Sequence, residues 1–180
     1  MSSIAPDSAS PVLQLATRLQ QEFPRFRLLA KEDSPFMRTV YRLGLMRLWN
    51  RRFLEVYTTT IGYTVYMPAG VRRDPVGGVR VLRHERIHLL QFQRHPLWFP
   101  LSYLLVPPLG ITMRARWEME AYVESMRVEL EETGGIADRT LDFIEERFTG
   151  PDYLFMDVRA GHVRKQLELA RRRLLEASSS

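Results

Sequence analysis

Cysteine is absent from the 180 residues. No disulfide framework can form, and any metal site must draw on His, Asp and Glu rather than thiolate. The absence suits a reducing compartment and leads to an expected cytoplasmic location. The opening MSSIAPDSAS lacks a basic stretch followed by an apolar one, so no secretory signal is expected. Lysine is nearly absent, confined to Lys31 and Lys165, so arginine carries the formal charge of +5. The arginines are scattered, mostly among carboxylates, and no recognised nucleic-acid motif accompanies them. No nucleic-acid partner is therefore expected. Internal repeats are lacking, as is low complexity outside the two ends.

The composition that remains, 45% hydrophobic and 26% charged, is that of a globular domain. A chain of this length can bury one core. The expected organisation is a loose tail over 1–10, a single domain over 11–177 and a frayed end at 178–180. The expected class is α+β, mostly α-helical. Ser10-Pro11 opens a helix whose apolar residues Val12, Leu15, Ala16 and Leu19 repeat with helical spacing, and Pro24 closes it. A second helix opens at Ser34-Pro35, with Val40, Leu43, Leu45, Met46 and Leu48 apolar. From Phe53 to Met67 β-branched and aromatic residues dominate, interrupted at Gly62, which predicts a small sheet or one hairpin. Asp74 then caps, and Pro75 opens, a helix running to about Arg94. Further helices are expected over about 114–132, 136–148 and 157–176.

The helix after Asp74 carries His84-Glu85-Arg86-Ile87-His88. Residues i and i+4 lie one above the other on a helix. Two imidazoles so placed can chelate one zinc ion, and the Glu beside the first can act as general base. Only four histidines occur in the chain, and two are in this motif. Apolar residues lie on several sides of the helix, so it should be largely buried. Its polar groups then need partners, which a metal supplies.

Residues 96–113, PLWFPLSYLLVPPLGITM, carry no charge. Four prolines and Gly110 argue against a membrane-spanning helix. The expected structure is a short buried helix and loop packed over the motif helix. The second reading is a partly exposed apolar rim making peripheral membrane contact.

HERIH, followed by Glu118-Met119-Glu120-Ala121-Tyr122 on a later helix, resembles the zincin metalloproteases, specifically the gluzincins. The resemblance covers about 84–126. It implies a minimal zincin-like domain with the small sheet preceding the motif helix. It also implies Zn2+ held by His84, His88 and a third ligand, with Glu85 as general base toward a zinc-activated water. The metzincin branch is disfavoured, because Gln91 and Arg94 stand where its longer motif needs Gly and His.

Two alignments of the third ligand stay open. An E-x-x-A-D/N pattern selects Glu118, although Tyr122 replaces the Asp or Asn. An E-x-x-x-D pattern selects Glu120, with Glu124 orienting a zinc-bound His. The two glutamates are about 200° apart around a helix, so both cannot face one ion. Glu118 is preferred. Tyr122, Tyr153 and His162 are candidate oxyanion donors by residue type, with packed or surface roles as the simpler expectation for each. The implied activity is that of a small zinc metallopeptidase acting on a peptide or protein substrate. The alternative is a zinc-binding regulatory or interaction module without peptidase activity. Oligomeric state is left open.

Overall fold

The computed structural model describes residues 10–42, 57–104, 109–150, 156–157 and 159–179. Among them the fold is α+β and mostly helical, with one three-stranded sheet. The chain divides into two compact units, 1–82 and 83–180, with the boundary inside the motif helix.

In the first unit, helix α1 spans Pro11–Glu22 and buries Val12 and Leu19. Pro11 sits in the first turn, where its missing N–H costs nothing. Strand β1 follows at Arg27–Ala30, then helix α2 at Pro35–Arg42. The expected apolar positions 43–56 lie outside the described residues. Strands β2, Thr59–Ile61, and β3, Thr64–Met67, form an antiparallel hairpin. Gly62 has φ of 59°, a left-handed conformation that a side chain disfavours, which is why the hairpin turns there. Val65 and Met67 point inward and are fully buried, while Thr64 and Tyr66 alternate with them.

The sheet order is β1-β3-β2, with β1 parallel to β3. The sequence pattern predicts a small sheet or one hairpin within 53–67, without a strand before it. Strand β1, Arg-Leu-Leu-Ala, goes beyond that expectation because its residues favour helix and none is β-branched. Pairing with β3 overrides that local preference. Lys31, just beyond β1, is fully buried. Its ammonium donates to the Tyr57 carbonyl at 2.6 Å and to Thr59 Oγ1 at 2.8 Å.

Residues Ala69–Arg73 form a short helix, α3. Asp74 then caps the motif helix as its residue type suggests: Oδ1 accepts from the amides of Val76 at 3.1 Å and Gly77 at 3.0 Å. Helix α4 runs Gly77–Arg94. Near its start, a Cβ on Gly78 would lie 2.6 Å from the Val71 carbonyl oxygen and 2.7 Å from Val12 Cγ2, so only glycine permits that approach.

The second unit holds the rest of α4 and four further helices: α5 Trp98–Leu104, α6 Leu109–Thr133, α7 Asp138–Thr149 and α8 Ala160–Ser178. Helix α6 begins earlier than the charged residues from Arg114 onward suggest. Gly134, φ 74°, ends it by donating its amide to the Leu130 carbonyl. Helices α6, α7 and α8 share a core that includes Met126, Leu141, Ile144, Phe148, Val163 and Leu167. Arg83 on α4 ties to α6 through Glu124 and Glu131. Among the described residues no helix is long and apolar enough to cross a membrane.

Candidate metal centre

Helix α4 sets Glu85, His88, Leu89 and Gln91 inward, all buried. His84 is one turn before His88, and the two rings meet edge to face with centroids 5.0 Å apart. Glu118 reaches them from α6. Its Oε2 is 3.6 Å from His84 Nε2 and 3.6 Å from His88 Nε2. The three ligand-type atoms all lie within 4.8 Å of one another. Donors bound at roughly 2.0–2.1 Å in a tetrahedral site stand about 3.3–3.4 Å apart, so the two Glu118–His spacings are near those of a zinc site while the widest pair would have to draw closer.

The outer nitrogens of both rings are engaged. His88 Nδ1 is 2.8 Å from Gln91 Oε1. Gln91 Nε2 donates in turn to the Trp117 carbonyl and to Glu120 Oε2, each at 3.0 Å. His84 Nδ1 is 3.2 Å from Ser125 Oγ, whose hydroxyl donates to the Ala121 carbonyl at 3.4 Å. Since an amide oxygen can only accept, His88 carries a proton on Nδ1 and turns Nε2 toward Glu118. The same sense holds for His84 once Ser125 has given its proton to Ala121.

Electrostatics follow from burial and proximity. Desolvation alone would push the His88 pKa down, but the Glu118 carboxylate, with smaller contributions from Glu85 and Gln91, outweighs it and raises the pKa to about 9. Burial would raise the Glu118 pKa, yet both imidazoles hold it well below the ordinary carboxylate range. His88 and Glu118 thus favour each other's charged forms, and a metal bound at His88 Nε2 would have to displace a proton there.

Sequence-nominated residues separate by position. Glu118 joins the two imidazoles, whereas Glu120 faces outward, its side chain 43% exposed and 3.8 Å from Arg116. Glu124, expected in an orienting role, instead accepts from Arg83 at 2.8 Å and Arg127 at 2.5 Å. It lies one residue short of the position that contacts His84, which Ser125 takes. Tyr122 packs edge-on against His84 at 4.8 Å between centroids and also against Phe148. His162 is exposed in the first turn of α8, its amide donating to the Arg159 carbonyl. Tyr153 lies outside the described residues.

Gln91 and Ser125 are ring-orienting residues that sequence reasoning misses. Gln91 has a signal, three residues after His88 on the same helix; Ser125 has none, because its contact depends on how α6 meets α4. No family model, curated protein or solved structure matches this chain.

Proposed function

We propose that the chain is a zinc-dependent hydrolase, most specifically a small metallopeptidase. The convergence of His84 Nε2, His88 Nε2 and Glu118 Oε2 carries this reading. Those three atoms would hold the ion and leave a fourth position open. Zinc so bound lowers the pKa of water and polarises a carbonyl. Glu85 is buried next to His84 in the chain and its charge acts on His88, which supports a carboxylate near the centre that is outside the ligand set. In this reading Glu85 takes the proton of the attacking water and passes it to the leaving amine. Gln91 and Ser125 hold the two rings in orientation.

A second reading, a zinc-binding module without turnover, is favoured by the depth of the triad. The side chains of Glu118 and His88 are only 8% and 7% exposed, and that of His84 is 14% exposed. Metal analysis tests what the two readings share. Purified protein should carry one zinc per chain, and His84→Ala should lose most of it. Stoichiometric zinc retained by the double variant His84→Ala/His88→Ala would remove the site altogether.

The ring-orienting contacts give a graded expectation. Gln91→Leu removes the acceptor for His88 Nδ1, and loss of such an outer contact typically weakens metal binding by roughly 10–100-fold. Competition with a calibrated chelator reads the change. Unaltered affinity in a folded Gln91→Leu protein would mean that Gln91 does not orient the ligand.

A further inference from the structure

Helix α5 has two apolar faces. Phe99 and Ser102 point inward: Phe99 lies 5.8 Å from His88 and 6.0 Å from Trp117, ring to ring, and Ser102 Oγ accepts from Trp117 Nε1 at 3.2 Å. Leu97, Trp98 and Leu101 point outward, 73%, 62% and 40% exposed. The Leu101 amide donates to the Leu97 carbonyl, so those two side chains stack one turn apart on the same side. A helix that packs on one face ordinarily turns polar residues to water on the other. Here the outward face carries two leucines and an indole, and the stability of the fold does not account for it.

Cations border this face. Trp98, Met113 and Trp117 line a groove of about 730 Å³ together with Arg94, His95 and Arg116. Arg94 and His95 are exposed, and the Arg116 side chain is 80% exposed. The one carboxylate lining the groove, Glu120, is 3.8 Å from Arg116 and accepts from Gln91. An indole with an apolar body and a polar N–H, flanked by leucines and rimmed by guanidinium groups, matches the boundary between lipid headgroups and acyl chains. A second copy of the chain is a poorer match. A twofold contact sets a patch against itself and would bring Arg94 and Arg116 toward their own duplicates.

We propose that α5 docks this protein onto an anionic bilayer surface. Leu97, Trp98 and Leu101 enter the acyl boundary, while Arg94 and Arg116 meet lipid phosphates. The contact is with one leaflet.

Co-sedimentation of the purified full chain with vesicles is the test. Vesicles of phosphatidylglycerol mixed with phosphatidylcholine should pull the protein down, and phosphatidylcholine alone should do so at least roughly tenfold less well, because the two arginines add attraction only to anionic lipid. Leu97→Ser/Trp98→Ser should abolish sedimentation, and Arg94→Glu/Arg116→Glu should weaken it by about tenfold or more. These side chains are exposed, so helix content by circular dichroism should match wild type in every variant. A blue shift of indole emission on adding anionic vesicles should vanish in Trp98→Phe, which retains Trp49 and Trp117. Three results overturn the proposal: no binding to either vesicle, binding unchanged in a folded Leu97→Ser/Trp98→Ser protein, or a lipid-free oligomer that this double variant disperses.

Discussion

Glu85→Gln is expected to keep the metal and the fold and to lose activity by roughly 10²–10⁴-fold, the usual worth of a general base. The substitution conserves volume in a buried position. It removes the charge and the ability to accept a proton, and exchanges one acceptor oxygen for an amide donor. Glu85 contributes no atom to the cluster formed by His84, His88 and Glu118, so zinc content should stay at the wild-type value. A proteome-wide cleavage comparison reads the difference with the substrate still unidentified. Peptide ends produced by wild type and missing with Glu85→Gln support the peptidase. Identical profiles from a zinc-loaded pair would end that reading and leave the binding module. If instead the variant loses zinc along with activity, Glu85 belongs to the ligand set and the proposed division of roles fails.

Glu118→Gln and Glu120→Gln should behave very differently, although the residues are neighbours and the change is the same. Glu118 is buried with its carboxylate against two imidazoles. Removing one member of a buried charge pair typically costs about 3–5 kcal/mol, so the metal-free variant should melt well below wild type. Zinc affinity should fall by more than the roughly 10–100-fold typical of an outer-contact change. Glu120 is 43% exposed, and a Gln there still offers an amide oxygen to Gln91, so its substitution should stay within about 0.5 kcal/mol. Thermal melts with and without chelator, alongside chelator competition, separate the two. Equal effects, or no effect on zinc from either, would exclude a carboxylate from this stretch as third ligand.

How much of the fold and the site is legible in the sequence depends on whether a feature is local. Asp74 is a cap because its carboxylate reaches amides two and three residues on, and Gly62 is a turn because of its own φ. The i, i+4 placement of His84 and His88 follows from helix geometry alone. The choice between Glu118 and Glu120 needs the rotation of α6 about its axis, which no local pattern determines. Ser125 is invisible for the same reason, and Glu124, the residue nominated, is its immediate neighbour. Strand β1 escapes because Arg27–Ala30 has the composition of a helix and becomes a strand only through a partner far along the chain. The uncharged stretch from Pro96 holds both readings at once. Phe99 and Ser102 take the buried one, and Leu97 and Trp98 the exposed one.

The strand order β1-β3-β2 has a kinetic consequence. Strands β2 and β3 are joined by a two-residue connection and can pair on the timescale of hairpins, about 1–10 μs. Strand β1 must instead find β3 in parallel register, Arg27 opposite Thr64, far apart along the chain, and the entropy of bringing them together is lost before any contact forms. The hairpin is therefore the template, and β1 the late arrival. Until β1 lands, one edge of β3 stays open, and Lys31 lacks the enclosed place between Tyr57 and Thr59 where its charge is solvated by oxygen rather than water. Closing that strand edge and burying a lysine therefore belong to the same event.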